Sequence, residues 1–174
     1  MNCIVAKLES TFLGNGAGAA DGAPQGILYN KTATAIDTYA ELCDFEAGLE
    51  NQDIYAEARY IVSPKAKAFW RSAIKGTNCT GMVLENDQID GTPAISTTYM
   101  GADGKKMLYG VFQDNVVICQ WGGLDLTLDT VTQATKGCIR IVINAYYDVL
   151  VKRPEALLLA EVGAGEPPID PSVG

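Results

Sequence analysis

The chain has 174 residues, 48% of them hydrophobic and 20% charged, with a net charge of −8. That balance suits a soluble globular protein with length for one compact core or two small lobes. It has no histidine, and its 13 Lys and Arg residues are scattered, which excludes Ser-His-Asp and Cys-His nucleophile systems, most zinc sites and general phosphate binding.

Met1-Asn-Cys-Ile-Val-Ala6 lacks the order of a signal peptide, and no apolar run approaches the roughly 18 residues of a membrane span, so export is not expected. The cysteines, Cys3, Cys43, Cys79, Cys119 and Cys138, are odd in number and far apart. They are expected to be buried, reduced thiols of a cytoplasmic protein. Two glycosylation sequons, Asn30-Lys-Thr32 and Asn78-Cys-Thr80, mean little without secretion.

Residues 14–26 are rich in glycine and predict a loop. From Thr34 to Gly48 the apolar residues Ile36, Tyr39, Ala40, Cys43 and Ala47 recur at helical spacing. Leu42, Phe45 and Leu49 widen the stripe, so this helix should be covered on two sides. Thr34 and Asp37 fit a capping box, and Gly48 suits the closing position. Arg59-Tyr-Ile-Val62 predicts a strand, followed by a helix capped by Ser63 with Pro64 in its first turn. Ala66, Phe69, Trp70, Ala73 and Ile74 form its apolar face, carrying it to about Lys75, with Gly76 ending it.

Met82-Val-Leu84 and a bent Ile89–Ile95 segment, interrupted at Gly91 and Pro93, predict short strands. Asp103-Gly104 marks a turn before a strand at Met107–Phe112; Val116–Cys119 reads as a strand or a short helix. Leu124, Leu126 and Leu128 alternate with Asp125, Thr127 and Asp129, predicting a half-buried strand. The apolar, β-branched run from Ile139 to Val151 is more than twice the average strand of about 5–6 residues, and Arg153-Pro154 stops it. Together these last two segments predict a long antiparallel ribbon. Residues 163–174 predict a disordered tail.

No segment carries a recognisable chemical motif. The glycine-rich loop lacks the Lys-Ser/Thr of a phosphate cradle. Glu85, Asp87 and Asp90 lack the closing glutamate of a calcium loop and read as a solvated turn. Asp125 and Asp129 share a strand face, as paired catalytic carboxylates can, but nothing predicts a raised pKa there. Phe69 and Trp70, at helical spacing, are core residues rather than a stacking platform with Tyr60. The residues alone therefore give an α+β fold with no assigned catalytic, cofactor or metal site.

The order of several short segments resembles the HK97-type major capsid proteins of tailed bacteriophages and prophages, over roughly Leu8 to Ala160. They are Thr11-Phe-Leu-Gly-Asn-Gly16 with Pro24-Gln-Gly-Ile27, Tyr60-Ile-Val-Ser-Pro64, Ile89-Asp-Gly-Thr-Pro93, Leu108-Tyr-Gly110, Gln120-Trp-Gly-Gly-Leu-Asp-Leu126, and Asn144-Ala-Tyr-Tyr-Asp148 with Lys152-Arg-Pro-Glu155. The resemblance implies a spine helix from Thr34, a long antiparallel hairpin and a small mixed axial domain. It places 1–52 and 124–146 in a peripheral domain, 53–123 and 147–162 in the axial domain, and 163–174 in the tail. It implies contacts between subunits at the hairpin tip, through Thr130, Thr132, Gln133 and Lys136, and in the axial domain through Asp103 and Lys105.

Family members carry an N-terminal arm and an extended loop ahead of the glycine-rich stretch, and this chain begins almost at that stretch. Loss of those elements is expected to weaken shell closure. The residues of the family's covalent cross-link would fall near Gly137 and Asn144, which do not match, so no such cross-link is expected. The resemblance implies a structural, self-associating subunit of a phage or prophage head shell, forming pentamers and hexamers without a cofactor. Its partners would be copies of itself and other phage head proteins, with neither sequence-specific nucleic acid nor membrane. It would be made in the bacterial cytoplasm and reside in the virion. The alternatives are an encapsulin-type nanocompartment subunit, a small α+β ligand-binding or enzyme domain using Asp125, Asp129 or Asp148, and a remnant unable to assemble.

Overall fold

Caps and pairing partners decide where each element of the fold begins. The computed structural model describes residues 2–13, 26–29, 31–76, 79–100 and 104–163. Most of the expected loop at 14–26 and tail at 163–174 therefore lies outside the described residues. Helix α1 (Asn2–Phe12) occupies the start of the chain, where no element was expected. Its sequence signal is the four-residue spacing of Ile4, Leu8 and Phe12, and Phe12 is buried.

The helix expected from Thr34 divides in two. Thr34–Ile36 forms strand β1, and helix α2 spans Tyr39–Glu50. Thr34 does not cap: the capping box is Thr38 with Glu41, whose carboxylate accepts from the Thr38 amide at 3.0 Å. Strand pairing draws Thr34 and Ile36 out of the helix, because both lie opposite residues of a strand near the far end of the sequence. Gly48 stays inside α2, which ends at Asn51 in right-handed geometry. One side of the helix is covered, by Leu42, Phe45 and Leu49, and Cys43 is exposed.

Strand β2 (Arg59–Val62) leads into helix α3 (Pro64–Ser72), capped by the Ser63 hydroxyl, which accepts from the Ala66 amide at 3.3 Å. The helix stops short of Lys75 because the next residues pair with 81–83: Val83 N donates to Ala73 O at 3.0 Å. Ala66, Phe69 and Trp70 are buried, whereas Ile74 is exposed. Strands β3 (Leu84–Glu85), β4 (Gln88–Ile89) and β5 (Thr92–Ser96) form two successive hairpins. Their turns are Asn86-Asp87 and Asp90-Gly91, with φ of 50° and 59°, then 49° and 86°, the left-handed pair that matches strand twist.

Strand β6 (Lys106–Gly110) precedes the long β7 (Val116–Asp129) and β8 (Arg140–Val151), and β9 (Leu157–Val162) closes the fold. Among the described residues seven strands make one sheet in the order β1-β9-β6-β2-β5-β4-β3, and β7 and β8 pair only with each other. Alternation along the central strands gives the sheet two apolar faces. Tyr60, Val62, Met107, Ala160 and Val162 pack under α2 and α3. Leu108, Leu157 and Leu159 face the other way, against Ile27, Leu28 and Met100.

Leu42, Phe45 and Leu49 of α2 pack in the clusters of the seven-stranded sheet. The cysteines depart from expectation. Cys43, Cys79 and Cys138 are exposed and Cys119 half-buried: Cys43 lies on the open side of α2 and Cys119 on the ribbon, while Cys79 and Cys138 lie in connections outside the helices and strands. The side chain of Cys3 lies outside the described residues.

Two positions test this packing. A Cβ at Gly110 would overlap the Ala156 carbonyl and stand 2.9 Å from Leu157 Cα, whereas one at Gly123 meets nothing. In urea denaturation Gly110→Ala is expected to lose about 2–3 kcal/mol, and Gly123→Ala to stay within about 0.5 kcal/mol of the parent. The second concerns Glu46, whose carboxylate accepts from the hydroxyl of the fully buried Tyr60. Burial raises the Glu46 pKa, opposed by that hydrogen bond. Its contribution is therefore complete below the unfolded value of about 4.3 and is lost as pH rises through the folded value. Glu46→Gln keeps an acceptor for Tyr60, so its denaturation midpoint should match the parent near pH 4 and exceed it near about pH 7.5.

Candidate functional site

The ribbon of β7 and β8 pairs from Val116↔Val151 at its base to Asp129↔Arg140 near its tip, with a register shift between Trp121 and Asp125. Long runs of β-branched and aromatic residues without proline favour this extended pair. Its base packs on the second face of the sheet through Val116, Val149 and Val151.

Asn115 fixes that base. It is buried, and its amide nitrogen donates to Val111 O at 3.2 Å and Arg153 O at 3.1 Å. Its amide oxygen accepts from Arg153 N at 2.7 Å, and its main-chain carbonyl accepts from Lys152 N at 2.9 Å. One residue thus ties the strand entering the ribbon to the strand leaving it. Sequence reasoning missed Asn115; the available signal was Asp114-Asn115 between two apolar runs, and Asp114 does adopt φ 59°.

Beyond the register shift no described residue packs over either face of the ribbon, and most of its side chains are exposed, which corrects the expected half-buried strand. On one face Leu126 lies opposite Ile143 and Leu128 opposite Ile141. These four side chains are 61%, 47%, 59% and 58% exposed, and Leu124 and Ile139 beside them are exposed too. The other face carries the pairs Asp125↔Asn144, Thr127↔Val142 and Asp129↔Arg140. Alternation was legible, but it identifies an apolar face without saying whether anything covers it.

The carboxylates do not assemble a reaction centre. Asp125 and Asp129 are four residues apart on one strand, roughly 13 Å, beyond the separation at which two carboxylates share a substrate. Asp129 accepts from the amides of Val131 and Thr132, both at 3.0 Å, and hydrogen bonds from Thr132 hold its carboxyl below the usual range. Asp148 accepts from Val149 N at 2.8 Å. The acidic cluster of the hairpins is paired as well: Asp87 with Lys67 and Arg71, Asp90 with Lys75. Glu85 accepts from Met82 N at 2.9 Å.

Four expected contact residues meet at the ribbon tip. Thr130, Thr132 and Lys136 are exposed and Gln133 half-buried. Gln133 O accepts from Lys136 N at 3.0 Å and from Cys138 N at 3.3 Å, and Gly137 supplies φ 65°. Lys105 lies apart from them, beside β6, where its ammonium donates to Gly163 O at 3.0 Å and sits 5.5 Å from the Phe69 ring centre. Asp103 lies outside the described residues.

The profile of the phage capsid family matches residues 3–162. A comparison with curated proteins finds no match. Among solved structures, the capsid of an empty GTA particle superposes with a TM-score of 0.69 at 16% identity, covering 94% of this chain and 65% of that one. A chain of Gordonia phage Cozz gives 0.69 at 12% identity, covering 94% and 61%. The holo-SrpI encapsulin complex of Synechococcus elongatus gives 0.58 at 14% identity, covering 91% and 61%. These likenesses establish the HK97-type fold. The chain spans under two thirds of the length of each of these structures.

Removal of the Asn115 side chain takes away the donor to the buried Val111 carbonyl and the acceptor of the Arg153 amide. Asn115→Ala is expected to cost roughly 2–3 kcal/mol and to speed hydrogen exchange at the amides of Lys152 and Arg153. Slow exchange unchanged at both would show that the ribbon base is held by other contacts.

Proposed function

This chain belongs to the phage capsid family, and we propose that it is a structural subunit of a phage or prophage head shell that associates with copies of itself into pentamers and hexamers. The observation that carries this reading is the uncovered aliphatic face around Leu126, Leu128, Ile141 and Ile143. The seven-stranded sheet closes its own core on both faces, so this strip is not a gap in the fold. A contiguous apolar surface on an element that projects from the body is what one subunit offers another. We assign residues 53–123 and 147–162 to the axial part and 124–146 to the peripheral ribbon, with α2 packed on the axial body.

In this reading the protein acts by association rather than catalysis, which suits carboxylates spread along a ribbon or paired to lysine and arginine. It is made in the bacterial cytoplasm, resides in the virion and meets other head proteins there. The net charge of −8 suits a shell that must not adhere to the phosphate of packaged genome. A head shell is favoured over an encapsulin-type compartment by the match of the phage capsid family profile to residues 3–162.

Light scattering after size exclusion, over a range of concentration and salt, tests the proposal with negative-stain imaging of any large fraction. Rings of five or six, or larger curved assemblies, are expected. Leu126→Glu combined with Ile143→Lys keeps a compatible cross-strand pair while removing the apolar strip. This variant should stay monomeric at an unchanged melting temperature. A parent chain that is monomeric throughout would overturn the reading, and co-purification of one stoichiometric cargo protein would shift it to a compartment.

A further inference from the structure

The outer edge of the seven-stranded sheet holds an open groove of ≈ 540 Å³ between β1, α2 and the turn before β9. Among the described residues strand β1 is bonded only to β9, and no described strand pairs with its other edge. Phe45 and Leu158 give the groove an apolar floor, and Glu41, Asp44 and Glu155 line its rim. Lys31 is the one cation among the described lining residues, and its ammonium is held by the carbonyls of Pro154 and, at 2.8 Å, Leu157. The groove is therefore apolar below and negative above.

The ribbon tip has the complementary character. Residues 130–139 contain Lys136 and no carboxylate, and Val131 is 81% exposed. Asp129, just before them, turns its carboxylate into the tip's own turn. A ribbon of this length, at about 3.3 Å per residue, holds its tip roughly 40 Å from its base. That base runs through Lys152 and Arg153 directly into the groove at Glu155. The tip therefore cannot reach the groove of its own chain.

We propose that the ribbon tip of one copy seats in the edge groove of a neighbouring copy, with Val131 on the Phe45–Leu158 floor and Lys136 against Asp44 and Glu155. The contact joins two different patches, so it is head-to-tail and propagates round a ring or across a curved lattice. It rests on the shell reading and specifies one of that shell's contacts.

Equal amounts of ¹⁴N- and ¹⁵N-labelled full-length protein, mixed and coupled with a carbodiimide, test it. Mass spectrometry of the digest is expected to find Lys136 joined to Asp44 or Glu155 in mixed-isotope pairs, which arise only between copies. Lys136→Glu or Asp44→Lys alone should weaken association by about threefold, and the two together should restore it. Mixed-isotope links elsewhere with none at Lys136 would overturn this docking and leave the shell reading standing. No mixed-isotope links, with a strictly monomeric parent, would overturn both.

Discussion

A single buried amide governs how this molecule is divided. The body closes on itself: strands contributed from both ends of the chain meet in one sheet, and its two faces are covered by α2 and α3 and by the segment around Ile27 and Leu28. The ribbon leaves that body through one narrow neck, where Asn115 binds Val111 on the way out and Lys152 and Arg153 on the way back. Two-stranded ribbons are marginal alone in water. Here the neck supplies the anchoring that the absent third strand would otherwise give, so a long projecting element keeps one direction relative to the sheet.

The apolar residues of the two parts serve different ends. In the sheet, alternation places successive residues of β2, β6 and β9 into opposite clusters, so each strand is used on both faces. In the ribbon the same alternation yields one aliphatic face and one polar face, both in solvent. Opposing charges on the hairpins β3–β5 are settled within the subunit by Lys67, Arg71 and Lys75. Apolar surface remains exposed on the ribbon, and acidic side chains line the groove at the sheet edge. Membership of the phage capsid family gives this division its sense.

Local signals in the sequence were reliable where one interaction settles the matter. Ser63-Pro64 started α3 where expected because cap and proline act within one turn, and the long run from Ile139 was legible since no competing periodicity interrupts it. Thr34 and Thr38 show the opposite case. Thr34-x-x-Asp37 and Thr38-x-x-Glu41 offer two capping boxes in tandem, and only the pairing of Thr34 with Ala160 decides between them. Distant pairing of this kind leaves no local mark. The connection between the two ribbon strands was legible from the alternation before it and the apolar run after it, but Asn115 at the neck and the groove beside β1 arise from the meeting of segments far apart in sequence.

The register shift between Trp121 and Asp125, with Gly122 at φ 70°, divides the ribbon into an anchored stem and a free blade. A bulge is the natural place for a β-ribbon to bend. With a blade roughly 20 Å long, a change of about 10° at the bulge displaces the tip by some 3–4 Å, about the rise of one residue along a strand, while the stem stays still. A closed surface with both five-fold and six-fold vertices demands unequal angles between chemically identical subunits. In the shell proposed above, a bend at this bulge would absorb that difference as a small change of pitch while the packed sheet stays as it is.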